Sequence, residues 1–175
     1  MSISREIYTY TASKQLPHLI QSLFASELLA PGKTIYLFSP WLSNVAILDN
    51  STNSFRQVNP LWPRGVISLT SVLEHLISKG TEIRICVNHS DHNKFLMSWI
   101  DQMIKRGYSN VLGKRRKDLH KKGLLFDKGF ISGSMNFTFN GLNVLDERVV
   151  FTTHDGDIAS AQIEFENYWN SEENI

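Results

Sequence analysis

In the stretch LHKKGLLFDKGFISGSMNFTFNGLNVLDE, side chains with phosphate chemistry recur two residues apart: His120 with Lys122, then Ser134 with Asn136. On an extended chain, residues two apart face the same side, so each pair can project together from one face of a sheet. Leu124 and Phe126 continue the parity of His120 and Lys122, whereas Gly123 and Leu125 point the other way. The turn at Asp127-Lys128-Gly129 is too short for a parallel crossover, so the chain must return as an antiparallel hairpin. The hairpin brings Gly133-Ser134-Met135-Asn136 back beside His120 and Lys122. Imidazole, ammonium, hydroxyl and amide converging on one spot make a sensible phosphate site. One group attacks phosphorus, one supplies fixed positive charge, and two donate hydrogen bonds to the non-bridging oxygens.

The elements that must position these groups can be read from periodicity. Residues 15–29 carry Leu16, Leu19, Ile20, Leu23, Phe24 and Leu28 at helical spacing, with Pro17 tolerated in the first turn and Pro31-Gly32 as the stop. A short β-prone run at 34–39 ends at Pro40, and 50–64 is a surface excursion rich in Asn, Ser and Pro. Helices are expected over 68–79 and 93–106, closed by Gly80 and Gly107, with a strand over 82–88 between them. Strands then crowd at 123–126, 129–132 and 147–151 before a last helix over 157–170. That helix sets Ile158, Ala161, Phe165 and Tyr168 or Trp169 along one face, most simply a core stripe. Strands alternating with helices imply an α/β fold, an α-β-α sandwich in which helices flank a mixed β-sheet. The expectation is one domain over 1–175, with a core of about 34–169 and residues 1–33 as an N-terminal helical extension.

His120-x-Lys122 followed by four residues and Asp127 resembles the HxKx4D signature of the phospholipase D superfamily, and Gly133-Ser134-x-Asn136 resembles the GSxN that follows it. Five residues, Lys128 to Ser132, separate Asp127 from the GSxN, one fewer than the family's usual spacing, as a shorter hairpin would give. Glu147 stands where the family carries a downstream acidic residue, and Phe38-Ser39-Pro40-Trp41 is similar to the family's first core strand and its turn. The resemblance implies that His120 is the nucleophile, forming a covalent phosphohistidine that water hydrolyses, while a second histidine protonates the leaving oxygen and then activates the water. It implies that Lys122 and Asn136 stabilise the transferring phosphoryl group with help from Ser134, and that Glu147 accepts a histidine ring N–H. Asp127 is too far along the strand to touch phosphorus and is expected to hold the hairpin or a neighbouring catalytic side chain. The chain has one such motif and the mechanism needs two histidines, so two copies are expected to meet about a two-fold axis, each contributing His120. No metal and no cofactor are required.

Composition adds limits. Hydrophobic residues make up 42% and charged residues 20% of 175 residues, as in an ordinary folded chain. One cysteine, Cys86, excludes an internal disulfide and points to a reducing, cytoplasmic setting, as does an N-terminus without a secretory signal. No stretch is apolar enough for a membrane span. The net charge of +1 is uninformative, but KRRKDLHKK over 114–122 packs six Lys or Arg into nine positions. Lys114, Arg115, Arg116, Lys117 and Lys121 are therefore candidate phosphate-backbone contacts. His89-Ser90-Asp91-His92 near Cys86 lacks a fourth metal ligand and reads as a surface loop. Trp41 and Trp62 could stack on bases or pack at the dimer interface, and core or interface packing is the simpler reading.

Short single-motif members of the family resemble its bacterial endonucleases, so nucleic acid, DNA or RNA, is the expected substrate and partner of a homodimer. A helicase or ATPase subunit, or a defence system acting against phage, is the further partner class the resemblance implies. Two other readings stand beside it: a lipid-directed phospholipase D or phosphatidyl transferase, and a non-catalytic nucleic-acid-binding subunit of a larger complex.

Overall fold

The structure is a computed structural model and describes residues 2–9 and 14–172. Its elements run β1 (Ser4–Tyr8), α1 (Gln15–Leu29), β2 (Thr34–Phe38), β3 (Ala46–Asp49), β4 (Val66–Ser68), α2 (Leu69–Ser78), β5 (Glu82–Val87), a 3₁₀ turn (Asp91–Asn93), α3 (Lys94–Lys105), β6 (Val111–Arg115), β7 (Gly123–Phe126), β8 (Gly129–Gly133), α4 (Phe139–Asn143), β9 (Arg148–Thr152) and α5 (Asp155–Asn170). Seven strands form one mixed sheet in the order β1-β9-β8-β7-β2-β5-β6, and β3 pairs with β4 apart from it. β2, β5 and β6 run parallel, while β7, β8, β9 and β1 add antiparallel partners on the other side of β2.

The period of two along each strand sorts side chains into two cores. Ile35 and Leu37 of β2, Ile83, Ile85 and Val87 of β5, and Leu124 and Phe126 of β7 pack with Leu16, Ile20 and Phe24 of α1, Val72 and Leu76 of α2, and Ile100 and Met103 of α3. The alternate residues, Tyr36, Phe38, Cys86 and Leu125, meet Ile158, Ala161 and Phe165 of α5 on the opposite face. Central strands buried on both faces need near-continuous apolar sequence, which EIRICV and TIYLF supply. Phe165 anchors the second core: its ring stacks on Phe38 at 4.5 Å and meets Phe130 edge-on at 5.6 Å. The helix-flanked mixed sheet is thus the expected α-β-α sandwich.

Several elements lay outside the sequence reading. β1 pairs antiparallel with β9 along its whole length, so the N-terminal residues contribute an edge strand to the sheet as well as a helix. β6 extends the parallel side, its Gly113 packed so tightly under Ile100 that a Cβ would come within 2.7 Å of the Ile100 side chain. The 50–64 excursion is closed rather than loose. Asn50 is fully buried, accepts from Phe55 N and donates to Pro63 O at 2.8 Å, while Trp62 is buried against His75.

Candidate active site

Register alignment places the chemistry at one end of the sheet. Phe38 of β2 lies beside Cys86 of β5 and Gly123 of β7, Gly123 beside Ser132 of β8, and Gly133 beside Val149 of β9. One step further along that row come Ser39, Lys122, Ser134 and Arg148, just past the carboxyl ends of the parallel strands, where α/β sheets usually bind ligands. His120 and Lys122 precede β7 rather than lying on it, so strand parity does not orient them. What holds the pair is local: Lys122 Nζ donates to the backbone carbonyl of His120 at 3.1 Å. Lys122 also lines a small cavity with Ser132 and Gly133, which brings it to the GSxN turn. Among the described residues no side chain hydrogen-bonds the exposed His120 ring, and no carboxylate pairs with Lys122.

Ser134 and Glu147 form the tight part of the site. Ser134 Oγ donates to Glu147 Oε2 and accepts from Arg148 N, 3.1 Å away. Glu147 is 9% exposed, and its backbone is tied to Thr9, whose Oγ1 accepts from Glu147 N at 2.7 Å and whose N–H donates to Glu147 O at 3.1 Å. The end of β1 therefore pins the acidic residue, although β1 is some 140 positions away in sequence (|i−j| of 138 for that pair). In this chain the carboxylate receives a serine hydroxyl, where a histidine ring N–H was expected. Asn136 lies partly exposed beyond Ser134, and its Oδ1 is buried without a hydrogen-bond partner among the described residues.

Two glycines make this turn possible. Gly133 has φ of +145, and a Cβ there would meet Arg148 O at 2.1 Å. At Gly141 in α4 a Cβ would sit 2.1 Å from Asn136 O, so only glycine lets the helix press against the asparagine's backbone. Gly133→Ala should therefore displace Ser134 from Glu147 and destabilise the fold by about 2–4 kcal/mol, since it adds backbone strain to a direct clash. Urea unfolding beside the parent reads this out, and an unchanged midpoint would contradict it.

Side chains given no role in the sequence analysis set the site's floor. Ser39, 1% exposed, accepts from Phe137 N at 2.9 Å and donates to Trp41 O at 2.7 Å. Leu42 forms a parallel bridge with Phe137, and Ser43 N donates to Phe137 O at 3.0 Å. Asn93, fully buried, donates to Pro40 O at 2.8 Å and accepts from Leu42 N at 2.9 Å. The segment after β2 is thereby zipped to the segment that carries Asn136. A fully buried amide with every group bonded is such a clamp, but Asn93 in sequence reads only as the start of a helix.

Asp127 does different work from either role expected of it. Its carboxylate accepts from Lys33 N at 2.7 Å and Thr34 N at 3.4 Å, fixing the entry to β2. Glu27 accepts from Gly32 N at 2.8 Å on the other side of the same turn, and burial pushes its carboxyl above the usual range while that hydrogen bond opposes the shift. The aspartate of the signature thus organises the far end of the strand whose carboxyl end opens on the site.

The basic stretch is largely spent on α5. Arg116 is 3% exposed, donates to Tyr168 O at 2.6 Å, Ser171 Oγ at 2.8 Å and Glu172 O at 3.1 Å, and stacks on the Tyr168 ring at 4.3 Å. Lys114 donates to Trp169 O at 2.7 Å. Cations there satisfy the orphan carbonyls of a helix C-terminus and complement its dipole. Lys121 pairs with Glu164 and sits over the Phe165 and Tyr168 rings. The expected phosphate contact at Arg116 is corrected on burial, and Lys114 and Lys121 are tied to the same helix. Arg115 is half-buried and Lys117 exposed. Cys86 is buried in the α5 core, and among the described residues no three His, Cys, Asp or Glu side chains group as metal ligands.

The family model described as "Cardiolipin synthase, PLD-like domain" matches residues 45–169. Among curated protein sequences none matches. Three solved structures share the fold at low identity. NucT from Helicobacter pylori is 14% identical with a TM-score of 0.64, covering 95% of each chain. Nuc from Salmonella typhimurium, a phospholipase D family member, is 13% identical with a TM-score of 0.56, covering 97% of this chain and 95% of that one. TrmBL2, an archaeal chromatin protein, is 14% identical with a TM-score of 0.56, covering 98% of this chain and 54% of the other. With that family model matching residues 45–169, most of its length, and a sandwich shared with these structures, the chain belongs to the phospholipase D superfamily.

Proposed function

We propose that the protein is a phosphodiesterase that hydrolyses nucleic-acid phosphodiester bonds at a site completed by a second copy of the chain. The observation that carries this reading is the row at the sheet end, where Lys122, bonded to the His120 carbonyl, lines a cavity with Ser132 and Gly133 next to Ser134, itself bonded to Glu147. In the first step a His120 ring nitrogen attacks phosphorus, the bond to the leaving oxygen breaks, and the partner's His120, protonated, gives its proton to that oxygen. In the second step the now neutral imidazole takes a proton from water, the water oxygen bonds to phosphorus and the P–N bond breaks. Lys122 and Asn136 face the non-bridging oxygens, where charge gathers in both transition states. Glu147 accepts from the Ser134 hydroxyl and holds it in place. Fold likeness to NucT and Nuc, and to TrmBL2, a chromatin protein that binds DNA, supports nucleic acid as substrate.

Incubation with labelled single- and double-stranded DNA and RNA in EDTA, with His120→Ala in parallel, tests the reading. Cleavage by the parent alone supports it; no cleavage of any nucleic acid sinks it. The family model's description favours one second reading, a phosphatidyl transferase, which head-group release from phospholipid vesicles would reveal. Arg115, half-buried, and Lys117, exposed, are the polyanion contacts proposed within the basic stretch. Changing both to glutamine should weaken binding several-fold at low salt and lower the slope of log K against log salt by about 1–2. An unchanged slope would return both side chains to the solvated surface.

A further inference from the structure

A cleft opens next to Asn136 that the phosphodiesterase chemistry does not use. Trp41, Ser43, His92, Asn136 and Phe139 line it, and among the described residues no Lys, Arg, Asp or Glu does. Trp41 is 46% exposed and Phe139 64% exposed, so two aromatic rings stand in water at the mouth of the site instead of joining either core. The floor beneath them is rigid: Ser39 and Asn93 hold the Trp41 segment, and the bridge from Leu42 to Phe137 ties it to the Asn136 segment. Ser43 Oγ and His92 Nε2 lie 2.8 Å apart, a polar pair on the same wall.

Rigid exposed aromatics beside a phosphate site suit one kind of occupant. A base presents a π-face to a ring only when it is unstacked, and duplex bases are already stacked on each other. A wall free of carboxylates admits a polyanion without repulsion, and the Ser43–His92 pair offers hydrogen bonds to a base edge or sugar. We propose that this cleft is a stacking subsite for single-stranded nucleic acid, with Trp41 and Phe139 holding the bases next to the scissile phosphate. The proposal rests on the nuclease reading and narrows it to single strands.

The test uses the full chain carrying His120→Ala, so that substrate stays intact, and follows the anisotropy of a labelled oligothymidylate and of a duplex of equal length. Trp41→Ala and Phe139→Ala should each weaken single-strand binding by about five- to a hundredfold, the range for loss of one stacked base, and leave duplex binding little changed. Trp41→Phe, which keeps a ring, should restore most of the loss. Sedimentation velocity on the same variants should show the parent's mass. Unchanged single-strand affinity in both alanine variants would overturn the subsite, as would a loss explained by a change in mass, which would make this face the contact between copies. If the parent neither binds nor cuts any nucleic acid, the nuclease reading falls first and takes the subsite with it. If the parent binds or cuts and the aromatic variants match it, the subsite alone falls.

Discussion

Replacing His120 with alanine should lower turnover by about ten-thousandfold or more while leaving the unfolding midpoint near that of the parent. The magnitude follows from removing two functions at once, since in a symmetric pair the same position is nucleophile on one protomer and acid–base catalyst on the other. Stability is spared because the ring is exposed and hydrogen-bonded to no side chain among the described residues. The proposed sharing of one site by two copies makes a second, sharper demand. When parent and variant chains are mixed equally and allowed to exchange, only dimers with two intact histidines turn over, so activity falls to about a quarter. Activity at half the parent's value would mean that each protomer works alone.

Lys122→Ala should cost about a hundred- to a thousandfold in kcat, with a smaller change in KM. It removes a preorganised charge whose benefit grows as the phosphoryl oxygens gain charge in the transition state. Arginine should rescue little, because its larger planar fork fills the cavity beside Ser132 and Gly133 differently from an ammonium. A change in KM alone, with kcat intact, would assign Lys122 to ground-state binding.

The sequence foretold best what rests on local signals. Helix α1 occupies Gln15–Leu29 and strand β7 Gly123–Phe126, as periodicity and breakers implied, and the hairpin register joins Gly123 to Ser132. Elements whose stability is bought by distant partners were not legible. β1 alternates polar residues with few apolar ones and exists because β9 offers it an edge. β6 hides in a run of cations around Gly113. The basic stretch misled for the same reason: charge density is visible in sequence, but the helix end that absorbs Arg116 and Lys114 is some 50 residues downstream (|i−j| of 52 and 55). Parity also failed at His120 and Lys122, which lie outside the strand whose alternation it describes.

The most direct test of the account is to trap the intermediate. The parent protein is mixed with an oligonucleotide labelled on the side that stays with phosphorus, quenched within a turnover at alkaline pH where phosphoramidates persist, and digested for mass spectrometry. The account predicts the nucleotide adduct on the peptide carrying His120, lost on mild acid treatment and absent from His120→Ala. Cleavage that proceeds with no adduct on His120, or with an adduct on another residue, would contradict it.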